Sequence, residues 1–271
     1  MNSIQLPAAA APIQTAFLGK IGADILGDFV LAGLAREHVD FLGARDGQTG
    51  VSFVLNSIRD DRTILIYKGI NSFLEQQDIP ALDTHWVYLS SMIGKSWQTV
   101  VDFLGGSELK LAFNPSSYQT KMGYEALRIL TDKVALLVMN REEAHMFLGL
   151  DYREQTDMKA LVTALCKVPG QITVITDGAN GAWVFDGAQV LVGKPMPTLK
   201  IVETTGAGDA FAATFTACHM RNMDLPGTLH YAMTNAESVL QYKGAKEKLL
   251  TWDALEVTAA QNKREIQTFT R

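Results

Sequence analysis

Cysteine is nearly absent from this chain: Cys166 and Cys218 are the only two in 271 residues. They stand far apart and in no metal-like spacing. That excludes a disulfide framework and reads as reduced, buried thiols of a cytoplasmic protein. Histidine is equally uninformative. His38, His85, His145, His219 and His230 are scattered, and no His-x₃-His pair suggests zinc. No apolar run approaches the ~20 residues of a membrane span. Basic charge is not in excess, since 24 Lys and Arg face 29 Asp and Glu for a net charge of -5. Such a balance offers no footprint for nucleic acid or an anionic membrane. Met1 to Gln14 lacks a basic region and a long apolar stretch, which argues against a signal peptide. Its run of Ala8 to Ala11 between Pro7 and Pro12 predicts a poorly ordered segment over residues 1–15. There is no internal repeat and no other low-complexity linker.

What is present is ordinary for a soluble globular protein, with 47% hydrophobic and 20% charged residues. The length suffices for a sizeable core, as one α/β domain or one domain with a small appendage. The pattern alternates. Ala16 to Ile21 predicts a strand, and Asp24 to Arg36 a helix with Ile25, Leu26, Phe29, Val30, Leu31 and Leu34 on a broad apolar face. Gly50 to Asn56 and Arg62 to Tyr67 are β-rich runs around Arg59-Asp60-Asp61, which predicts a hairpin and the likeliest appendage. Strands then follow at Trp86–Leu89, Leu109–Phe113, Val134–Met139 and Ile172–Thr176, separated by helices at 97–104, 123–131, 142–148 and 158–167. The unbroken apolar run at 134–139 is typical of a central parallel strand buried on both faces. Trp183–Phe185 and Val190–Val192 suggest a second hairpin, and three helical segments at 208–223, 229–241 and 251–263 end the chain. The alternation implies a mostly parallel sheet with helices on both faces.

Ligands of open α/β sheets bind outside the carboxyl ends of the strands. Three polar motifs fall at such ends. Asn140 and Glu143 are three apart at a helix start, where they could organise Mg²⁺-bound water and phosphate oxygens. The alternative is a reciprocal helix cap. Thr176-Asp177-Gly178-Ala179-Asn180-Gly181 permits close backbone approach to a ligand, or makes a plain hairpin turn. Thr204-Thr205-Gly206-Ala207-Gly208-Asp209 delivers one carboxylate into a helix start beside small residues. Unpaired N–H groups and the helix dipole favour an anion there. A phosphate cradle beside a general base suits phosphorylation of a hydroxyl. The bland reading is a capping-turn acid. Ser90 and Ser91, and Asn114-Pro115-Ser116, also sit at strand ends, facing substrate or capping the next helix.

In this order the three motifs resemble the PfkB-type, or ribokinase-like, carbohydrate kinase family. Gly19-Lys20-Ile21-Gly22-Ala23-Asp24-Ile25-Leu26-Gly27 is similar to that family's Gly-x-x-Gly-x-Asp-x-x-Gly segment. Thr49-Gly50-Val51 and Lys68-Gly69-Ile70-Asn71 resemble its lid-proximal segments, and Asn235-Ala236 with Gly244-Ala245 its adenine-side region. The resemblance runs from about Ala16 to about Lys246. It implies a ribokinase-like three-layer αβα sandwich with a mostly parallel sheet and a small β-rich lid. The kinase domain would span 16–271, with 49–71 contributing to the lid. It implies ATP-dependent phosphorylation of an alcohol on a sugar, sugar derivative or nucleoside, with Mg²⁺. Asp209 would be the base, and the N–H groups of Gly206, Ala207 and Gly208 the anion hole. Asn140 and Glu143 would organise Mg²⁺ through water. Thr176, Gly178 and Gly181 would line the phosphate and ribose side, and Asn235 and Gly244 the adenine. Asn71 and Ser90 are candidates for the substrate side, and the lid a candidate homodimer contact.

The chain departs from the family in three places. Nothing before Ala16 matches the family's first strand or its Gly-Gly-x-x-x-Asn segment. That predicts reduced stability or lost activity, and leaves a truncated or impaired nucleotide binder as the alternative. Glu203 stands where the family usually has Asp. With Thr205 it marks a monovalent-cation position whose geometry the longer side chain alters. Lys243, Lys246 and Lys248 near that position weigh against a potassium requirement, or form a solvated turn. An NAD-dependent oxidoreductase is a distant alternative, since Gly19-x-x-Gly22 does not fit the Gly-x-Gly-x-x-Gly spacing.

Overall fold

The apolar run beginning at Val134 is buried on both sides: Leu136, Leu137, Val138 and Met139 are each no more than 2% exposed. It forms an inner strand of a seven-stranded sheet. The structure is a computed structural model and describes residues 13–56, 62–153 and 155–270. Of the segment expected to be poorly ordered, residues 1–12 lie outside the described residues, and Thr15 already opens a strand.

The described residues form two compact units. One comprises Gln14–Thr84 with Met92–Glu108, and the other His85–Ser91 with Leu109–Arg271. The first, the hairpin unit, contains β1 (Thr15–Phe17), β2 (Lys20–Ile21), α1 (Ile25–Arg36), β3 (Val39–Phe41), β4 (Ala44–Arg45), β5 (Val51–Asn56) and β6 (Arg62–Tyr67). The chain then gives β7 (Trp86–Leu89) to the second, or sheet unit, and returns α2 (Gly94–Gly105) to the first. Everything further belongs to the sheet unit: β8 (Lys110–Phe113), α3 (Ser117–Thr120), α4 (Gly123–Thr131), β9 (Val134–Asn140), α5 (Arg141–Leu148) and α6 (Met158–Leu165). There follow β10 (Ile172–Thr176), β11 (Ala182–Phe185), β12 (Gln189–Gly193), α7 (Ala207–Met220), α8 (Leu225–Leu240), α9 (Trp252–Gln261) and β13 (Ile266–Thr270).

In the sheet unit the strand order is β13-β12-β11-β10-β9-β8-β7. β7 to β10 are parallel, and β10 to β13 pair antiparallel. Phe211, Ala212 and Phe215 of α7 and Leu229, Ala232 and Met233 of α8 pack on one face, against Leu136, Val138, Val174, Val184 and Leu191. On the other face, Thr173 Oγ1 donates to the Val162 carbonyl of α6 at 2.9 Å. The result is three layers, helices on sheet on helices.

In the hairpin unit the strand expected over Ala16–Ile21 is split into β1 and β2, and β3 and β4 are additional; in the sheet unit two elements depart from the sequence reading. The chain ends on a strand, β13, rather than on α9, and the short α3 was not anticipated. β13 is mostly exposed, so it carries no strong alternation; its register with β12 and one buried ion pair hold it. Arg264 Nη2 donates to Glu237 Oε2 at 2.7 Å, with the two side chains 2% and 7% exposed. Glu237 Oε1 also accepts the Met196 N–H at 3.0 Å, and Arg264 donates to the Lys194 carbonyl. One ion pair thus fastens α8, the approach to β13 and the segment after β12.

The hairpin unit has a small core of Ile21, Leu34 and Val39, with Phe17, Val30, Leu31 and Phe41 against it. Phe17 and Phe41 stack at 6.2 Å across the parallel β1–β3 pair. The apolar face expected for α1 packs only through its later half; Ile25, Leu26 and Phe29 are 82%, 45% and 70% exposed. The helix start is held by polar contacts instead. Asp24 accepts the Gly27 N–H at 2.8 Å, the Thr49 N–H at 2.8 Å and the Thr49 hydroxyl at 2.6 Å. Gly22 is obligatory beside it, because an added Cβ would lie 2.2 Å from the Thr49 nitrogen. The Gly-x-x-Gly-x-Asp-x-x-Gly segment is therefore a clasp between α1 and the root of the hairpin.

The hydrogen bonds from Thr49, followed by that from Gly27, hold the Asp24 carboxyl down at about 2. A depressed carboxylate stabilises the fold above its unfolded value and loses that contribution as pH falls through the folded one. Asp24→Asn is therefore expected to be less stable than the wild type at neutral pH. The difference should shrink between about pH 4 and pH 2, the interval from the ordinary Asp value of 3.8 to the folded one. Denaturant titrations of both proteins across that interval measure it; a gap independent of pH would contradict the clasp.

The expected hairpin is formed by β5 and β6, paired antiparallel in register Val51↔Tyr67. The Arg59-Asp60-Asp61 connection lies outside the described residues. Phe53, Leu55, Leu65 and Tyr67 fall on one face and Ile64 and Ile66 on the other, and all are at least half exposed. Among the described residues no helix is long and apolar enough to cross a membrane.

Candidate active site

Asn140–Glu143 and the Thr176–Gly181 turn follow directly after the parallel strands β9 and β10, whereas the head of α7 follows a loop after β12, with no strand at Val202–Glu203. β9 and β10 finish side by side, with Asn140 opposite Thr176. This register puts the Asn140-x-x-Glu143 helix start next to the Thr176–Gly181 turn, although the motifs are far apart in sequence.

The helix cap is formed. Asn140 Oδ1 accepts the Glu143 N–H at 2.8 Å, and Glu143 Oε2 accepts the Asn140 N–H at 3.0 Å. The cap leaves Asn140 Nδ2 and Glu143 Oε1 outside it. Burial pushes the Glu143 carboxyl up; the Asn140 N–H opposes this, and the negative charges of Glu142 and Asp209 add to it. The last of these ties the head of α5 electrostatically to the head of α7.

Thr176 leads into a tight turn. Asp177 donates its N–H to the Gly181 carbonyl at 2.8 Å, and Asn180 Nδ2 donates to Asp177 Oδ2 at 3.0 Å. Gly178 is open, with nothing within 4 Å of where its Cβ would stand. A ligand can therefore meet the backbone there.

The head of α7 is built around Gly206. It is left-handed, with φ 85°, and an added Cβ would lie 1.9 Å from the Ala245 carbonyl oxygen. A side chain is excluded on both counts. Ala207 N–H reaches back to the Thr204 carbonyl at 3.4 Å, whereas Gly208 faces open space. Asp209 is exposed in the first turn, while Ala210 and Phe211 behind it are buried at 1% and 3% exposure. The sequence thus anchors the helix in the core and presents one carboxylate outward.

The loop against Gly206 is pinned from two sides. Glu203 Oε2 accepts the Gly244 N–H at 3.0 Å. Asn235 is buried, donates to Thr214 Oγ1 at 2.8 Å and accepts the Leu250 N–H at 3.0 Å. Its amide is engaged at both ends, so in this structure it positions the loop. Lys248 lies over the Tyr242 ring at 5.4 Å. Among the described residues no group of three or more His, Cys, Asp or Glu could hold a metal ion.

Tyr88, near the end of β7, escaped the sequence reading. Its hydroxyl donates to Asn114 Oδ1 at 3.3 Å, and Asn114 Nδ2 donates to the Val138 carbonyl at 2.8 Å. Burial of the phenol, then the negative charge of Asp209, raises its pKa, although 38% of the residue remains open to solvent. A phenol near the end of an otherwise apolar strand was the signal available. Ser90 is exposed at the same edge, and Ser91 donates to Ser116 Oγ at 2.9 Å. Neither serine caps α2, whose N-cap is Ile93.

Asn71 belongs to the hairpin unit, where its Oδ1 accepts the Gly50 N–H at 3.3 Å. That unit has its own open concavity of about 440 Å³, lined by Gln48, Tyr67, Lys68 and Phe73 among others.

A mixed sheet with helices on both faces, a clasped two-stranded hairpin and an acid-headed helix at the strand ends define a ribokinase-like α/β fold. The pfkB family carbohydrate kinase signature matches residues 5–252, and the chain belongs to that family. The match begins earlier than the Ala16 read from motifs. An uncharacterized sugar kinase of Archaeoglobus fulgidus is 27% identical over 249 residues, covering 88% of this chain and 95% of that protein. The ribokinase of Giardia lamblia superposes with a TM-score of 0.76 at 19% identity, covering 89% of this chain and 82% of its own. The ribokinase of Cryptococcus neoformans var. grubii in complex with ADP gives 0.72 at 19% identity, covering 89% and 82%.

Proposed function

We propose that this chain transfers the γ-phosphoryl group of ATP to an alcohol on a sugar, sugar derivative or nucleoside. The observation that carries the reading is the exposed carboxylate of Asp209 heading α7, whose charge acts on Glu143 in the capped helix start that lies beside the Thr176–Gly181 turn. Family membership and the ADP complex of the fungal relative support nucleotide use.

In this reading Asp209 takes the proton of the acceptor hydroxyl as its oxygen attacks phosphorus. The small residues Gly206, Ala207 and Gly208 let backbone N–H groups approach the equatorial oxygens, where negative charge is greatest in the transition state. Thr176, Gly178 and Gly181 line the phosphate and ribose side, and the loop carrying Gly244, held by Asn235, backs the adenine side. Asn140 has its oxygen committed to the cap, so its contribution is Nδ2, a donor to phosphate oxygen. Glu143 Oε1 is the oxygen left to accept from a metal-bound water. The mutual repulsion of Glu143 and Asp209 fits a divalent cation between phosphate and protein. Mg²⁺, when bound, neutralises phosphate charge. Glu203 and Thr205 would border a monovalent cation, with Glu203 Oε2 also accepting the Gly244 N–H.

Asn71 of the hairpin unit and Ser90 of the sheet unit are assigned to the acceptor, each on its own unit. A hairpin with exposed apolar side chains on both faces calls for cover on both. A second copy of the hairpin, giving a homodimer, supplies such cover for one of them. Free thiols at Cys166 and Cys218 fit a cytoplasmic location. The test is ADP release from ATP across a panel of sugars and nucleosides. Acceptor-dependent release is expected. A chain that neither turns over any acceptor nor binds ATP would sink the reading.

A further inference from the structure

We propose that Arg141, steadied by Asp177 and joined by Lys194, is a ligand for the phosphates of a nucleoside di- or triphosphate. The inference rests on the kinase reading and adds a cationic subsite to it.

Arg141 is the first residue of α5, directly after Asn140. Because Asn140 pairs in register with Thr176, its guanidinium reaches the Asp177 turn. The contact is loose. Nη1 lies 3.9 Å from Asp177 Oδ1, well beyond the ~2.7–2.9 Å of a charge-assisted hydrogen bond. Asp177 meets Arg141 through Oδ1 alone, while its Oδ2 accepts from Asn180 at 3.0 Å. Arg141 Nε is buried and has no hydrogen-bond partner. The side chain is only 35% exposed, so it is not a guanidinium at large in solvent. A buried donor without an acceptor is uncommon in a folded protein and asks for an explanation. A phosphate oxygen supplies the acceptor, and the planar fork matches it.

The surroundings point the same way. Lys194, from the segment after β12, donates to the Asn180 carbonyl at 3.1 Å, placing a second cation on the same turn. Gly178 of the same turn has nothing within 4 Å of where its Cβ would stand. Four carboxylates belong to these motifs: Glu142, Glu143, Asp177 and Asp209. A polyanionic nucleotide would meet net repulsion from four carboxylates. One divalent cation offsets part of that, and Arg141 and Lys194 offset the rest on the side where the turn would hold the phosphates. Asp177 then acts as a positioning residue. It keeps the guanidinium over the turn without satisfying it.

The test uses the full chain with Mg²⁺, measuring the binding of ATP, ADP and adenosine by calorimetry and the KM values for ATP and acceptor. Arg141→Gln is expected to weaken ADP and ATP by about tenfold, the order of one lost charge-assisted contact, and to leave adenosine unchanged. KM for ATP should rise while KM for the acceptor stays put. Arg141→Lys should recover part of the loss, and Lys194→Gln should give a smaller loss of the same kind. Unchanged ADP affinity in Arg141→Gln would overturn the inference, as would an equal loss for adenosine and ADP, which marks a merely structural role. Wild-type protein that binds neither ADP nor ATP would overturn the kinase reading and this inference together.

Discussion

Exchanging Asp209 for asparagine is expected to lower turnover by about 10²–10⁴-fold while leaving the fold and nucleotide binding in place. The carboxylate is exposed, and the residues that anchor α7 lie behind it in the core. Asparagine preserves shape and hydrogen bonding to solvent but is no proton acceptor at neutral pH. The only structural cost is a lost charge at a helix N-terminus, about 0.3–1 kcal/mol. The expected signature is a collapse of kcat with little change in the KM for ATP. A variant that retained wild-type turnover would show that the proton goes elsewhere.

The largest expected effect on stability lies far from the chemistry, at Glu237. Truncation to alanine leaves the Arg264 guanidinium charged, 2% exposed and without its carboxylate partner. Removing one member of a buried pair costs ~3–5 kcal/mol, against a total stability of ~5–15 kcal/mol for a typical domain. Glu237→Ala is therefore expected to shift the denaturation midpoint markedly. Replacing both residues with apolar ones of similar volume should recover much of the loss, because no charge is then stranded. A loss below about 1 kcal/mol for the single variant would mean that water reaches Arg264 freely.

The two cases differ in how far the sequence anticipates them. The head of α7 is legible because every element of it is local: small residues, an acid, then an apolar helix. The run at 134–139 is legible for the same reason, since burial on both faces leaves one unbroken apolar signature. Glu237 and Arg264 are not legible, because their meaning depends on a pairing between α8 and the approach to β13 that no local pattern encodes. β13 itself is short and exposed, and pairing with β12 alone makes it a strand. Asn140 and Glu143 sit between these extremes. Their spacing allows a cap or a ligand site, and the structure forms the cap while leaving one polar atom of each outside it. Asn235 matches a family motif at sequence level, yet its amide is spent on Thr214 and Leu250. Arg141 stood in plain view beside Asn140. Only the strand register with Thr176 brings it to the Asp177 turn and gives its unpaired Nε significance.

Phosphorus-31 NMR of the full chain with MgATP and the best acceptor from the panel tests the central claim most directly. A phosphomonoester on an alcohol should appear in equal amount with ADP, and should be lost by at least about 10²-fold in Asp209→Asn. Release of inorganic phosphate regardless of acceptor, or ester formation undiminished in Asp209→Asn, would contradict it.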